Sequence, residues 1–401
     1  MKIKQKITLG LILAAIVPLL IAMVILIYSA TSKIDHALFE NNKNHLISVR
    51  DARKAQIEDY FQTIENQMTT MTSNSMVIDA MGSMTDAFEQ IDSVSSADKR
   101  KLENYYQNDF GQKYKTLNGG EAANLNQLMA LDDQAWYWQN QYIGSNHFPL
   151  GEKHHLIQAN DTHPYNALHA KYHPQLADFL DKFGYYDIFL VDAKSGHIVY
   201  SVFKELDYAT SLKSGPYANS GIARAYNQAL NLSNGDTYLD DFASYVPSYR
   251  AQASFISSPI QENGQTIGVL IFQMPVDRIH AVMTNNEQWE QAGLGRSGET
   301  YLVGPDKTMR SQSRFLIEDI EGYTQALLSS GTDQSTIDEI TSKSSSIGLQ
   351  KVNSIGVNAA LSGTTDFDII KDYRDVEVLS GYTPLNINGL NWVLMSEIDK
   401  E

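Results

Sequence analysis

Between Phe203 and Tyr217 the sequence reads FKELDYATSLKSGPY, and its residue types suit ligand binding better than a plain strand connection. Lys204 and Asp207 offer both charge signs close together, while Tyr208 and Tyr217 offer ring surface. A second polar-aromatic stretch, DDFASYVPSY, adds Asp240, Asp241 and Tyr245. Aromatics at Trp136, Tyr137 and Tyr186 complete the candidate ligand-binding set. Pockets are apolar concavities with a few convergent polar groups, and this set contains both kinds of residue. With both charges present, a small zwitterion, amine or carboxylate could be held. Aromatics are commonly core and strand-end charges commonly solvated, so the set acts only if the fold brings it together.

Other chemistry is less well supported. Six of the ten histidines fall between His147 and His173, and His169 and His173 stand four apart, a spacing that could share a metal on one helical turn. Pro174 follows directly, which predicts a short helix, and no complete ligand pattern such as HExxH occurs; no metal site is expected. Gly293, Gly295 and Gly298 fit G-x-G-x-x-G but precede a strand instead of following one and opening a helix. No nucleophile elbow, phosphate loop, kinase signature or cyclase signature is present, so neither an enzyme nor a cofactor is expected.

Composition narrows the classes further. A net charge of -16 and no dense basic run beyond the first six residues leave no footprint for nucleic acid. Cysteine is absent, which removes disulfides and thiolate chemistry. Residues 1–6, MKIKQK, precede an uncharged run from Ile7 to Tyr28. At about 1.5 Å per residue that run reaches about 33 Å, enough to cross a bilayer. It is longer than a signal-peptide core, so an uncleaved anchor is expected, with Pro18 at most a kink. The lysines before it should stay cytoplasmic, placing the bulk of the chain in the periplasm or outside the cell.

From Ile34 to about Ile78 there is no Gly or Pro, and Ile57, Phe61, Ile64, Met68, Met71 and Ile78 alternate in steps of four and three. Residues 29–78 therefore read as a long stalk helix about 65 Å in reach, its apolar stripe facing either its own domain or a second copy. More helix is expected from Lys99 to Tyr142, broken at Asn118–Gly120. Beyond Phe183 the texture becomes strands: Asp187–Asp192 and His197–Phe203 about KSG, then DDFASY, then two runs flanking ENGQ. A weaker copy follows in GETYLVGPDKTMRS and in EVLSGYTPLNINGLNWVLMSEID. The fold class is α+β, with two stacked antiparallel-sheet domains behind one long helix.

That order, with YYDIFLVDAKSGHIVYSVFKELDYATSL, SGETYLVGPDKTMRSQSRF and GLNWVLMSEID, resembles the double Cache (tandem PAS-like) sensory region of bacterial transmembrane receptors, above all methyl-accepting chemotaxis proteins. The resemblance covers about residues 30 to 400. It implies a membrane-distal Cache domain at 79–285 that binds a small solute, and a membrane-proximal one at 286–401 that relays. It also implies a homodimer in the full receptor, and a second membrane helix and signalling domain after the last strand. Histidine kinases and nucleotide cyclases carry the same input module; an anchored hydrolase or scaffold is the remaining alternative. One feature of the family's amino-acid sensors, an Arg shortly before a Trp-Tyr pair, is not met: Asp133 and Gln134 precede Trp136 and Tyr137. Arg310 and Arg314 could pair with carboxylates or bind an anion.

Overall fold

A computed structural model describes residues 3–400. Met1 and Lys2, in the expected cytoplasmic N-terminus, lie outside the described residues, as does Glu401 at the end of the expected proximal domain. A single helix, α1 (Ile3–Thr72), merges the expected membrane segment and stalk, running through Pro18. One stretch of it is long and apolar enough to cross a membrane. The helix stops at Thr72, six residues short of the expected end. Asn74 causes the stop: extended at φ -77, ψ 126, it accepts a hydrogen bond from the Met76 amide and caps a new helix, α2 (Ser75–Phe88).

The Met-rich stripe resolves toward the chain's own core. Ile57, Phe61, Ile64, Met68 and Met71 are all buried in the main hydrophobic cluster. Each such side chain contributes roughly 1.5–3 kcal/mol by leaving water, which is why the periodicity is strict.

The first sheet is five-stranded and antiparallel, in the order β2-β1-β5-β4-β3. Its strands are β1 (Asp187–Asp192), β2 (Ile198–Ser201), β3 (Tyr238–Tyr245), β4 (Ala251–Glu262) and β5 (Gln265–Gln273). β1 is buried along its whole length because it is interior to the sheet and covered on both faces, which explains its unbroken apolar run. Asn263 and Gly264, at φ 50 and 80, make the left-handed two-residue turn that fixes the β4–β5 register. The helical cover lies N-terminal to the sheet. It includes Asp133–Gln139 and Pro164–Phe183, with π-helical turns at Tyr105–Phe110 and Asn140–Gly144.

The second sheet is antiparallel, in the order β6-β9-β8-β7. It comprises β6 (Glu299–Val303), β7 (Asp366–Lys371), β8 (Glu377–Pro384) and β9 (Val393–Asp399). The sequence reading found β6, β8 and β9 but not β7, whose exposed edge carries the pattern DFDIIK with too few buried residues to read as a strand. GPDKTMRS forms isolated bridges, Met309 to Val303 and Thr308 to Lys351, in place of a full strand pair. The chain is thus α+β, with a long N-terminal helix and two antiparallel sheets.

Candidate functional site

The site is built on the bend that follows β2. Ser201 ends that strand, and Lys204 then takes φ 58, a left-handed conformation uncommon for a side-chain-bearing residue. Asp187 at the start of β1 holds the bend: its Oδ1 accepts from the amides of Ile188 (2.7 Å), Val202 (2.8 Å) and Phe203 (3.2 Å). Ser201 Oγ accepts from the Lys204 amide at 3.1 Å. Gln139 grips the other side, donating to the carbonyls of Leu206 and Tyr208, both at 2.8 Å, and accepting from the Tyr106 hydroxyl at 2.7 Å.

Inside this frame lies a tyrosine-walled acidic cluster. Asp187, Lys204 and Asp207 are buried, as are Tyr106, Tyr200, Tyr208, Tyr217 and Tyr245. The Tyr245 hydroxyl donates to Asp207 Oδ2. Asp207 Oδ1, Asp187 Oδ2 and the Tyr217 hydroxyl are buried without a hydrogen-bond partner among the described residues. An unpaired buried polar oxygen is costly, about 1–3 kcal/mol and more for a carboxylate, so two carboxylate oxygens and a hydroxyl left unpaired define a place where donors are wanted. The Lys204 ammonium does not meet the need: it donates to the Ser201 carbonyl and lies 4.4 Å from the Tyr200 ring centroid, 5.1 Å from Tyr208 and 5.7 Å from Tyr142.

Electrostatics agree with the geometry. Burial pushes the Asp207 carboxyl up to about 6, against the Tyr245 hydrogen bond, which lowers it. Burial also raises Asp187, with the neighbouring Asp207 charge adding to the effect. Lys204 is lowered by burial and held up by Asp187. Burial and the charges of Asp207 and Asp187 also raise Glu205, so the cluster carries three acids against one amine already engaged by rings and a carbonyl.

Tyr217 and Tyr245, their centroids 6.3 Å apart, also line an outer cleft of about 520 Å³ with Asn124, Gln127, Ser220 and Arg250. The two tyrosines therefore stand between solvent and Asp207. Of the residues singled out from sequence, Lys204, Asp207, Tyr217 and Tyr245 come together. The others do not. Asp240 is held by Arg224 through Nε (2.9 Å) and Nη2 (2.8 Å), and Asp241 pairs with Arg310 of the second sheet's domain. A bulge between Asp240 and Ala243 turns β3 and sends these two carboxylates away from Tyr245. Trp136 sits under the Lys99 ammonium, 5.4 Å from its ring, and Tyr137 is buried in the main hydrophobic cluster with its hydroxyl 3.4 Å from Asp161. Tyr186 is exposed and stacks on Phe203 at 6.1 Å in a separate cleft of about 320 Å³.

Two residues carry the site without having been singled out. Asp187 reads as the polar first residue of a strand, and Gln139 as one more residue of AWYWQNQY. Only long-range pairing reveals them, although a charged residue opening a fully buried strand is a usable signal. The histidines serve packing. His169 and His173 lie stacked at 4.5 Å in one helix that continues through Pro174 to Phe183, longer than expected. Nδ1 of His169 bonds the Ile157 carbonyl, and the two nitrogens of His173 bond Tyr200 and the His154 carbonyl. Among the described residues no group of three or more metal-ligating side chains is found. Arg314 contacts Glu318 and the carbonyls of Gly295 and Gly298, an internal role.

The chain thus sets two antiparallel sheets and a tyrosine-walled acidic cluster behind one long N-terminal helix. No family model and no curated protein matches the chain. Solved structures similar to it include the ligand-binding domain of the Pseudomonas aeruginosa PAO1 amino acid chemoreceptor PctC in complex with GABA, at 14% identity, TM-score 0.34, covering 62% of this chain and 86% of that one. The ligand-binding domain of the Pseudomonas fluorescens chemoreceptor CtaA in complex with L-leucine matches at 14% identity, TM-score 0.31, covering 76% and 98%. The sensor domain of the V. cholerae histidine kinase DctB matches at 12% identity, TM-score 0.34, covering 75% and 98%. At these identities and TM-scores the likenesses carry nothing about ligand or mechanism.

Proposed function

We propose that the chain is the extracytoplasmic sensory region of a bacterial transmembrane receptor, most like a chemoreceptor, and that it binds a small solute bearing an ammonium group. The observation that carries this reading is that Asp187 Oδ2, Asp207 Oδ1 and the Tyr217 hydroxyl are buried without a partner among the described residues, with the Asp207 charge acting on both other groups. An ammonium supplies N–H donors to all three and a cation to the aromatic faces, a contact worth ~2 kcal/mol when desolvated. A carboxylate-only ligand would add charge to an acidic cluster and is disfavoured.

In this reading α1 anchors the protein in the inner membrane through Ile7–Tyr28, with the remainder in the periplasm, and the receptor works as a homodimer. The region is not an enzyme. Residues 79–285 are the membrane-distal Cache domain and 286–401 the membrane-proximal one. Ligand acts by favouring one of two arrangements of the sheet and its helical cover, which α1 transmits. Output through a histidine kinase or nucleotide cyclase is the alternative, since the same input module serves both. The test is thermal-shift screening of the full chain in detergent against primary amines, quaternary ammonium compounds, amino acids and dicarboxylates. Stabilisation by ammonium solutes supports the assignment, and stabilisation by dicarboxylates alone reverses it.

A further inference from the structure

The second sheet holds a buried pair of acids that ligand binding in the first sheet's domain does not use. β6 and β9 run antiparallel with Glu299 directly opposite Glu397, so both side chains stand on one face, Cβ atoms about 5 Å apart. Each glutamate is 2% exposed. Glu299 accepts from the Tyr373 hydroxyl at 2.7 Å and the Arg314 amide at 3.0 Å. Glu397 accepts from Ser380 Oγ at 2.7 Å and the Tyr301 hydroxyl at 2.8 Å.

The surrounding charges are engaged elsewhere. Arg314 turns its guanidinium to Glu318, and Arg374 is shared by Asp372 (2.6 Å) and Asp399 (2.5 Å). Tyr323 bonds Gln350. On the helix packed against β6, Val276–Thr284, His280 pairs with Glu287 at 3.3 Å. From α1, Arg50 goes to the carbonyls of Asp366 and Tyr382 and to Asp51, Lys54 goes to the Pro384 carbonyl, and His45 lies against Gly293. No ion pair to Glu299 or Glu397 forms among the described residues.

We propose that Glu299 and Glu397 form a proton-binding site, holding a proton at neutral pH and losing it in mild alkali, which makes this domain a pH-responsive input separate from the solute site. Opposed carboxylates across a β pair repel when both are ionised, and here no cation pairs with either: the Arg374 charge, shared by Asp372 and Asp399, offsets Glu299 only in part. Proton uptake from water converts one carboxylate to a carboxyl. The new O–H is accommodated because each glutamate has a hydroxyl partner that can rotate from donor to acceptor. Burial pushes Glu299 up to about 7 and Glu397 up to about 8, with Asp372 adding to the rise at Glu397. The output lies one residue away: Ile398 packs in the cluster of Leu46, Leu294 and Leu379 that seats α1 on this sheet.

Both folded-state values lie above the ordinary glutamate range, so the native state binds more protons than the unfolded one. Stability is therefore full below about pH 4.5 and is lost as pH rises through about 7 to 8. The test is denaturant unfolding of the full chain in detergent at a series of pH values, for wild type, Glu397→Gln and Glu299→Gln. In wild type the folding equilibrium constant should fall up to roughly tenfold per pH unit for each proton lost, and either substitution should flatten that slope. Equal slopes in all three proteins overturn the proposal. Hydrogen exchange of the segment Val393–Asp399 in wild type, corrected for intrinsic rates, decides the matter if the variants do not fold. Protection that falls across the same window supports the site, and pH-independent protection contradicts it.

Discussion

Asp241 and Arg310 join the two sheet domains through a bidentate pair, Arg310 Nε to Asp241 Oδ1 and Nη2 to Oδ2, both at 2.9 Å. Trp392 Nε1 donates to the same Oδ1 at 3.0 Å. The Trp392 ring stacks on Phe242 at 5.8 Å and meets Phe61 of α1 edge-on at 5.5 Å. β3 thus carries Tyr245 of the acidic cluster at its end and a clamp on the other sheet at its bulge. Trp392 immediately precedes β9, so the clamp touches α1 and the returning strand together.

Removing Arg310 leaves Asp241 with the Trp392 indole and the Phe242 amide but no cation. Arg310→Ala is expected to cost about 3 kcal/mol, the scale for breaking a buried ion pair. Urea unfolding checks it. Asp241→Asn keeps the shape and weakens the pair; solute binding should survive while its effect on hydrogen exchange in β9 is lost. A solute response in β9 unchanged by this substitution would show that coupling runs elsewhere.

Gln139 is the residue on which the bend at Lys204 most depends from the helical side. Its loss leaves the Leu206 and Tyr208 carbonyls and the Tyr106 hydroxyl without their partner. Gln139→Ala should destabilise by about 2 kcal/mol or more, where Gln141→Ala, on the same segment, should be milder. Comparable unfolding midpoints for the two variants would contradict this role.

Much of the architecture is legible in the sequence. The hairpins flanking KSG and ENGQ, the long helix and its Met stripe, and the second sheet's closing hairpin all follow local patterns of period two or near 3.5. Lys204, Asp207, Tyr217 and Tyr245 were legible as a polar-aromatic excess where a strand connection needs none. Asp240 and Asp241 were not separable from them, because a one-residue bulge decides which way a side chain points and leaves no mark in composition. Apart from the adjacent Ile188 amide, Asp187 and Gln139 act through partners 15 to 69 positions away, beyond any local pattern. The end of α1 was missed for a simpler reason: the stripe continues to Ile78, and only the Asn74 cap shows that the chain has begun a new helix.

Solute binding should depend on pH through Asp207. Its carboxyl, raised to about 6 by burial, must be ionised to receive an ammonium. Below that value protons compete with the solute, and affinity should fall roughly tenfold per pH unit. Titrations from about pH 5 to 7 check this, and affinity that rises on acidification would point to an anionic solute instead.

The most direct measurement is calorimetric titration of the full chain in detergent with an ammonium solute identified by the thermal-shift screen, repeated on Asp207→Ala and Tyr245→Ala. Asp207 loses the charge partner and Tyr245 the hydroxyl that orients it. Each substitution is expected to weaken binding at least tenfold, about 1.4 kcal/mol, while Asp240→Ala leaves it within twofold. Undiminished affinity in both Asp207→Ala and Tyr245→Ala would contradict the assignment of the site.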